Sequence, residues 1–359
     1  MAQTKQPQPI FTNCTTAETN WCSWITLNAN SNGINKSDMN YVTDKGYAPV
    51  FISVYDRVNH FKQCIETLSK CEEAKNTTLY ISSDQGIDPL SKEKVNKIRM
   101  YIEEIKAFKE VVLVSSEKNT KGKIIRDCYK LIRENNYDRL IRAEDDIIFS
   151  SDFLCFMNES LSTYENCENI YSISGFSHST LFDVPDEKKN KVYFAQRYNP
   201  WGTGFWIKKR KDLKNKYSNE YLIQVLRNTD IKNKLNAYGL DRLPQLSRIA
   251  SKKMIIPSDY RNGLIMILEN LYTVYPYTSK TWNIGLDGSG LRTKKSNRFD
   301  IDLKFLEKTQ SYVLSPFSED QIENRFYKEF FSSNRDKIKY LLYKSGLYNL
   351  AYHLKPYLK

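Results

Sequence analysis

The chain has 359 residues, 40% hydrophobic and 27% charged, with a formal net charge of +12. That length suits one large domain or two ordinary ones, and the composition is that of a globular protein. Seven cysteines with no CxxC pair, and only His60, His178 and His353 as histidines, disfavour a zinc centre or a Cys/His nucleophile. The charge favours anionic partners, yet residues 335–359 hold six Lys/Arg against one acid, Asp336. With no basic stripe and interleaved aromatics through the middle of the chain, no nucleic-acid face is expected. The start, MAQTKQPQPIF, has no apolar core of a leader, and no run of about 18 apolar residues follows. The expected setting is a reducing cytoplasm with free thiols.

Residues 1–47 are polar and rich in Asn, Thr and Ser, with Trp21 and Trp24 as anchors, and predict an irregular segment. The run 48–56 is a strong strand signal through Val50, Phe51, Ile52 and Val54. Arg57 to Cys71 places Val58, Phe61, Ile65 and Leu68 at helical spacing. A strand over 78–86, a helix over Lys92–Ala107, a strand over Glu110–Ser115 and a helix over Lys121–Asn135 follow. Next comes YDRLIRAEDDIIFS, Tyr137 to Ser150, whose Leu140 and Ile141 read as the end of a buried strand. This alternation predicts a parallel sheet flanked by helices. Beyond it, 170–176 and 191–196 read as strands, 208–216, 219–227, 231–238 and 258–271 as helices, and 272–275 as a strand. Residues 276–293 read as a loop, and 301–359 as mostly helical.

Ligands of such sheets sit at the carboxyl ends of the strands. Asp56 and Arg57, Asp84, and the triplet Glu144, Asp145 and Asp146 all fall at such ends. Three consecutive acids at a buried strand end are costly unless a cation meets them. Hard carboxylates suit Mn²⁺ or Mg²⁺, whose remaining positions take phosphates and water. The reading is a strand end that delivers Asp146, with Asp145, to a divalent metal carrying a sugar-nucleotide diphosphate. A solvated acidic turn is the alternative.

The order of these motifs resembles a GT-A glycosyltransferase, and more closely the N-acetylglucosaminyltransferase I-like group and bacterial sugar transferases. The resemblance runs from Pro49 to Arg298. It rests on the strand followed by Asp56-Arg57 and a helix, on Ser83-Asp84-Gln85, and on Glu144-Asp145-Asp146 as the EDD form of a DxD metal motif. It continues through Ser172–Phe176, the Gly-rich turn Pro200–Trp206, and the segment Tyr275-Pro276, Ser279–Thr281 and Asn283–Gly285. It implies an α/β, GT-A (Rossmann-like), mixed but mainly parallel sheet flanked by helices, with a helical C-terminal extension. The implied division is 1–47, a catalytic domain 48–300 split into a nucleotide half 48–150 and an acceptor half 151–300, and a basic extension 301–359.

The resemblance also implies roles. Asp146 is the metal ligand, Asp145 faces the donor ribose or sugar, and Glu144 supports the turn or touches the donor. Glu144 in a salt bridge to Arg142 or Arg139 is the alternative. Asp56 belongs to the first nucleotide-binding element. Asp84 accepts from uracil and Arg57 reaches a uracil carbonyl, against the simpler roles of turn cap and helix start. Trp201, Gly202 and Gly204 stand on the acceptor side. Deprotonating the acceptor needs a carboxylate base, worth roughly 10²–10⁴-fold. Asp259 is the candidate, with Glu269 a competitor and helix capping the plainer role for Asp259. The family's Trp before the base is absent from Ser258-Asp259-Tyr260. Gly285–Gly290 with Arg292, Lys294 and Lys295 reads as a lid that brings cations to the diphosphate.

The implied activity is metal-dependent, inverting transfer of a hexosyl or N-acetylhexosaminyl group from a UDP-sugar, with UDP-GlcNAc a candidate donor. The acceptor would be a glycan or lipid-linked molecule in surface polysaccharide assembly. The Tyr/Leu/Lys periodicity of 335–359 is compatible with a peripheral contact on an anionic membrane, or with a helix packed on the body. A sugar nucleotidyltransferase and a non-catalytic membrane- or nucleic-acid-binding protein are the alternative classes. The first usually carries a Gly-rich basic loop where this chain has Asp56-Arg57-Val58-Asn59.

Overall fold

The computed structural model describes residues 46–289, 295–296, 299 and 312–354. The N-terminal segment before Gly46, with Trp21 and Trp24, and Arg292 and Lys294 of the expected lid, lie outside the described residues.

Strands β1 (Val50–Val54), β2 (Thr78–Ser83), β3 (Glu110–Ser115) and β4 (Arg139–Glu144) alternate with helices α1 (Val58–Leu68), α2 (Pro89–Glu104) and α3 (Lys123–Glu134). Strand β1 is buried on both faces, which is why it reads as an unbroken apolar run. Its alternation sends Val50, Ile52 and Val54 to the side of α1 and α2, against Phe61, Ile65, Leu68 and Ile98. Phe51 turns to the other side, against Cys128 and Ile132 of α3. Helix α2 begins three residues before the expected Lys92. Asp88 and Ser91 form a reciprocal capping box around Pro89 at the first turn, and that cap outweighs the hydrophobic spacing as a start signal.

Next come β5 (Ile147–Phe149), α4 (Phe153–Thr163), β6 (Ile170–Ser174), β7 (Val192–Ala195), β8 (Thr203–Trp206), β9 (Tyr272–Pro276) and β10 (Thr281–Asn283). The main sheet has eight strands in the order β3-β2-β1-β4-β8-β6-β9-β7. Pairing is parallel across β3-β2-β1-β4, antiparallel on both sides of β8, parallel for β6-β9 and antiparallel for β7-β9. This is the mixed sheet flanked by helices that the sequence implies, and it is consistent with a GT-A, Rossmann-like fold. Strands β5 and β10 make a separate antiparallel pair.

Helices within 219–268 build a second core around Leu222, Leu235, Leu246 and Leu264, and Tyr340 and Tyr343 of helix Asn334–Lys344 pack on it. Residues 312–331 are also joined to the body. Val313 bridges Lys191, Ile322 bridges Phe194, and Phe326 and Tyr327 pack with Tyr193 and Tyr275.

Candidate functional site

Strands β1 and β4 are parallel neighbours in a register that pairs Ser53 with Glu144, so their carboxyl ends finish level. The turn after β4 carries Asp145 and Asp146, each only 6% exposed. Arg57, the residue before α1, reaches across both. Its Nη1 donates to Asp146 Oδ2 at 2.8 Å and its Nη2 donates to Asp145 Oδ1. A guanidinium fork matches two adjacent carboxylates in geometry and charge. Burial pushes the Asp145 pKa up, and Arg57 offsets part of that rise. Burial would lower the pKa of Arg57, but Asp145 and then Asp146 hold it above its usual value. The sequence reading sends Arg57 to a uracil carbonyl; in this structure both arms of its fork lie on the two acids.

The second strand pair decides the rest of this site. Antiparallel pairing of Asn283 with Ile147 lays residues 281–285 alongside the acidic turn. Ile284 donates its N–H to the Asp146 carbonyl at 2.9 Å. Asn283 Nδ2 donates to Asp146 Oδ1 at 3.2 Å, and Asn283 Oδ1 accepts from the Gly285 N–H at 2.9 Å. Upstream, Lys280 meets Asp152 at 2.5 Å, with both side chains buried. The loop read over 276–293 therefore contains β10. Its signal in the sequence was a three-residue Thr-Trp-Asn run, too short to separate from a loop. Asn283 appears in the family-like segment, but no sequence pattern gives it a role. Beyond it, His60 Nε2 lies 3.2 Å from Asp287 Oδ2, which joins α1 to the first residues of the expected lid.

Glu144 ends β4, half-buried. Burial, followed by the charge of Asp146, pushes its pKa up to about 7, with Asp259 and Asp145 adding and Arg142 opposing. Arg142 donates to Phe51 O at 3.2 Å and to Ser53 Oγ at 2.5 Å. Arg139 belongs to the opposite end of β4, where it meets Asp138 and Gly46 O, so neither arginine forms an ion pair with Glu144 among the described residues. Asp259 is exposed in the first turn of helix Ser258–Leu268, whose N-cap is Pro257 with no side-chain cap bond. Asp259 is close enough to Glu144 for its charge to be felt there. Glu269, the competing candidate, lies apart from the acidic turn. It is held by Lys216 at 2.5 Å and by the Tyr217 hydroxyl, and it shares a cleft with Asp138, which precedes β4, at the end of the strand away from the acids.

Asp84 follows β2 at the same sheet edge. Its Oδ1 accepts from the N–H groups of Gln85 and Thr120 at 3.0 and 2.8 Å; its Oδ2 accepts from Thr120 Oγ1 and the Gly122 N–H at 2.9 and 3.0 Å. Burial raises its pKa, but the Thr120 and Gly122 donors together outweigh burial and hold it below the usual value. Four acceptor positions are about all a carboxylate has. In this arrangement Asp84 anchors the β3–α3 loop. Asp56 is half-buried beyond β1 and makes no side-chain hydrogen bond among the described residues.

The turn before β8 reaches the same edge, since Thr203 pairs with Arg142. Trp201 is half-buried among Phe176 at 4.6 Å and Phe299 at 5.1 Å. Gly202 and Gly204, expected on the acceptor side, are buried and closely packed. Gly202 has φ +75°, and a Cβ on it would come within 2.8 Å of Thr281 Cγ2; one on Gly204 would press on Leu161 at 3.2 Å.

No group of three or more His, Cys, Asp or Glu side chains converges to hold a metal among the described residues. The donor chemistry of Asp145 and Asp146 still fits a hard divalent ion, which commonly takes one or two carboxylates and completes its shell with phosphates and water.

No protein-family model matches the chain. No curated protein matches it. Among solved structures, it is similar to a mannosyltransferase, PcManGT from Pyrobaculum calidifontis, in complex with GDP-Man and Mn2+. The identity is 10% and the TM-score 0.36, over 64% of this chain and 71% of that one.

Proposed function

We propose that this chain is a metal-dependent glycosyltransferase that takes a sugar from a UDP-sugar and passes it, with inversion, to a hydroxyl of a glycan or lipid-linked acceptor. The observation that carries the reading is the cluster of Arg57, Asp145 and Asp146 at the carboxyl edge of the parallel strands. Asn283 and Gly285 close over it from a second strand pair. An edge with one cation and two acids suits a ligand that is itself a diphosphate with a counter-cation.

Asp146, with Asp145 beside it, would hold Mn²⁺ or Mg²⁺, which when bound neutralises the charge that grows on the leaving diphosphate. Arg57 is placed to turn from the acids to the diphosphate and add a second positive charge. Asn283 fixes the carboxylate plane of Asp146. Asp259, exposed and within electrostatic reach of Glu144, takes the acceptor proton as attack proceeds from the face opposite the leaving group. Glu144, at the end of β4, supports the acidic turn or hydrogen-bonds the donor sugar.

The hexose or N-acetylhexosamine identity of the donor, UDP-GlcNAc included, and a place in surface polysaccharide assembly belong to this proposal. So does a cytoplasmic site of action at the inner face of an anionic membrane. Ile338 (58% exposed), Leu341 (66%) and Leu350 (58%) lie on the outer side of the two C-terminal helices, next to Lys337 and Lys344. No helix of the described residues is long and apolar enough to cross a membrane.

Titration of UDP with and without Mn²⁺ tests the reading. UDP binding should require the metal and be lost in Asp146→Ala; equal binding in that variant sinks it.

A further inference from the structure

Helix Ile207–Lys216, IKKRKDLKNK, carries six cations. Lys208 pairs with Asp212 at 2.9 Å, and Lys216 with Glu269 at 2.5 Å. Lys209 donates to the carbonyls of Cys167, Glu168 and Ile170 at 3.1, 2.9 and 2.6 Å. Lys211 is exposed. Arg210 and Lys214 remain, one turn apart on one face of the helix. Neither has a carboxylate at ion-pair distance among the described residues.

Arg210 is only 8% exposed. It lies over the Phe205 ring at 3.8 Å and near the Tyr198 ring at 5.3 Å, and its Nη2 donates to Tyr198 Oη at 3.0 Å. Its Nη1 has no hydrogen-bond acceptor among the described residues, and neither has Nδ2 of Asn262, which is fully buried. Asn262 Oδ1 accepts from Tyr171 Oη at 3.0 Å. Arg261 donates to the Lys214 carbonyl at 3.0 Å and to the Tyr217 carbonyl, which puts a third cation behind Lys214. Asp259 stands on the same helix as Asn262, one turn earlier, and its charge reaches Lys214 as well as Glu144. A buried cation and buried donors with no acceptor, here Arg210 and Asn262 beside the half-buried Lys214, cost free energy that a bound anion recovers.

We propose that Arg210 and Lys214, with Asn262 beside them, form a binding subsite for a phosphate group of the acceptor. The inference rests on the glycosyltransferase reading, in which Asp259 takes the acceptor proton, and it deepens that reading by naming the acceptor class. An acceptor held there by its phosphate keeps its reacting hydroxyl on the Asp259 side of the cluster. Two cations match the charge of a dianion, and the Nη1 of Arg210, unpaired among the described residues, supplies a charged donor for one of its oxygens. The groups that face Lys214 are Arg210 on its own helix and Arg261 and Asp259 on the packed one. Burial, then Arg210 and Arg261, push Lys214 down to about 7 against the pull of Asp259. A bound dianion favours the protonated amine, so binding should weaken as pH rises through that value.

The probe is inorganic sulfate, a dianion throughout the neutral range, titrated calorimetrically into the full chain without metal. Wild type should bind it about tenfold more tightly near pH 6 than near pH 8. Lys214→Met should weaken binding about tenfold or more at the lower pH with an unchanged melting curve. Lys214→Arg should keep binding and lose the pH dependence, which a merely structural Lys214 would not produce. Asp146→Ala should keep the pH-dependent sulfate binding of wild type, and saturating UDP with Mn²⁺ should leave sulfate bound. Equal affinity in Lys214→Met, loss in Asp146→Ala, or displacement by UDP would each overturn the subsite. A hexose phosphate and a short-chain alkyl phosphate, titrated the same way, separate a glycan phosphate from a lipid phosphate. If neither binds more tightly than sulfate, the acceptor assignment fails. Failure of the glycosyltransferase reading shows separately, as wild-type protein with no metal-dependent UDP binding.

Discussion

Gly285 lies so close to Asp146 that a Cβ on residue 285 would come within 2.0 Å of Asp146 Oδ2 and 2.6 Å of Arg57 Nη1. Two groups that belong to the first strand ends thus leave room only for a hydrogen at a position more than a hundred residues later. Gly285→Ala must push either the carboxylate or the guanidinium out of place. Metal-dependent UDP affinity should drop about 10–100-fold, the usual range for a change that displaces a ligand-supporting contact. The melting temperature should stay close to wild type. Unchanged UDP affinity would mean that the contact has no bearing on the nucleotide.

Arg57 compensates two buried carboxylates at once. Arg57→Ala leaves them side by side and should cost up to roughly 3 kcal/mol, the lower end for removing one partner of a buried ion pair. Mn²⁺ added to the variant supplies a replacement cation. Thermal unfolding with and without Mn²⁺, in the absence of nucleotide, measures this. The metal should raise the melting temperature of the variant more than that of wild type. An equal effect on both would show that Arg57 and the metal do not share these oxygens.

Asp84 gives a pH test with a definite sign. Its folded pKa lies below that of an ordinary aspartate, so the stability it contributes is present above the unfolded pKa. That stability is lost as pH falls through the folded one. Asp84→Asn removes charge-assisted acceptance from Thr120 and Gly122 and should cost about 1–2 kcal/mol at neutral pH. The difference from wild type should shrink as pH falls below the ordinary carboxylate range. Denaturant melts at neutral and at low pH check it. A variant with wild-type stability but weakened UDP affinity would return Asp84 to base reading.

Asp259 and Glu269 separate by kinetics. Asp259→Asn should lower the transfer rate by about 10²–10⁴ while UDP affinity stays within twofold or so of wild type, because a base acts only on the acceptor proton. Glu269→Gln loses the contacts to Lys216 and Tyr217 and should change the rate little. The opposite ranking would place the base at the other end of β4.

The first half of the fold was legible because its signals are local. In β1, α1, β2, β3 and α3 the hydrophobic period, strand run and intervening turns lie within about ten residues of one another, and each element appears within a few residues of its expected bounds. The three acids at the end of β4 were legible for the same reason, since a charged run against a buried run is anomalous wherever it occurs. Strand β10 was not legible. Three residues carry no period, and they become a strand only when paired with Ile147–Phe149.

The site divides along the same line. The sequence by itself determined which residue types stand at the strand ends: Asp56, Arg57, Asp84 and the triplet ending in Asp146. It could not say which of them meet, because hydrogen-bond partners are chosen by three-dimensional proximity. Tertiary structure set Arg57 between Asp145 and Asp146, and it joined Asp84 to the loop that starts α3. It also buried Gly202 and Gly204 under Thr281 and Leu161, and brought Asn283 onto Asp146 from 137 residues away. The physical reason is one of range. Burial patterns are written into neighbouring residues, whereas a carboxylate satisfies its charge with whichever donor the fold brings within about 3 Å.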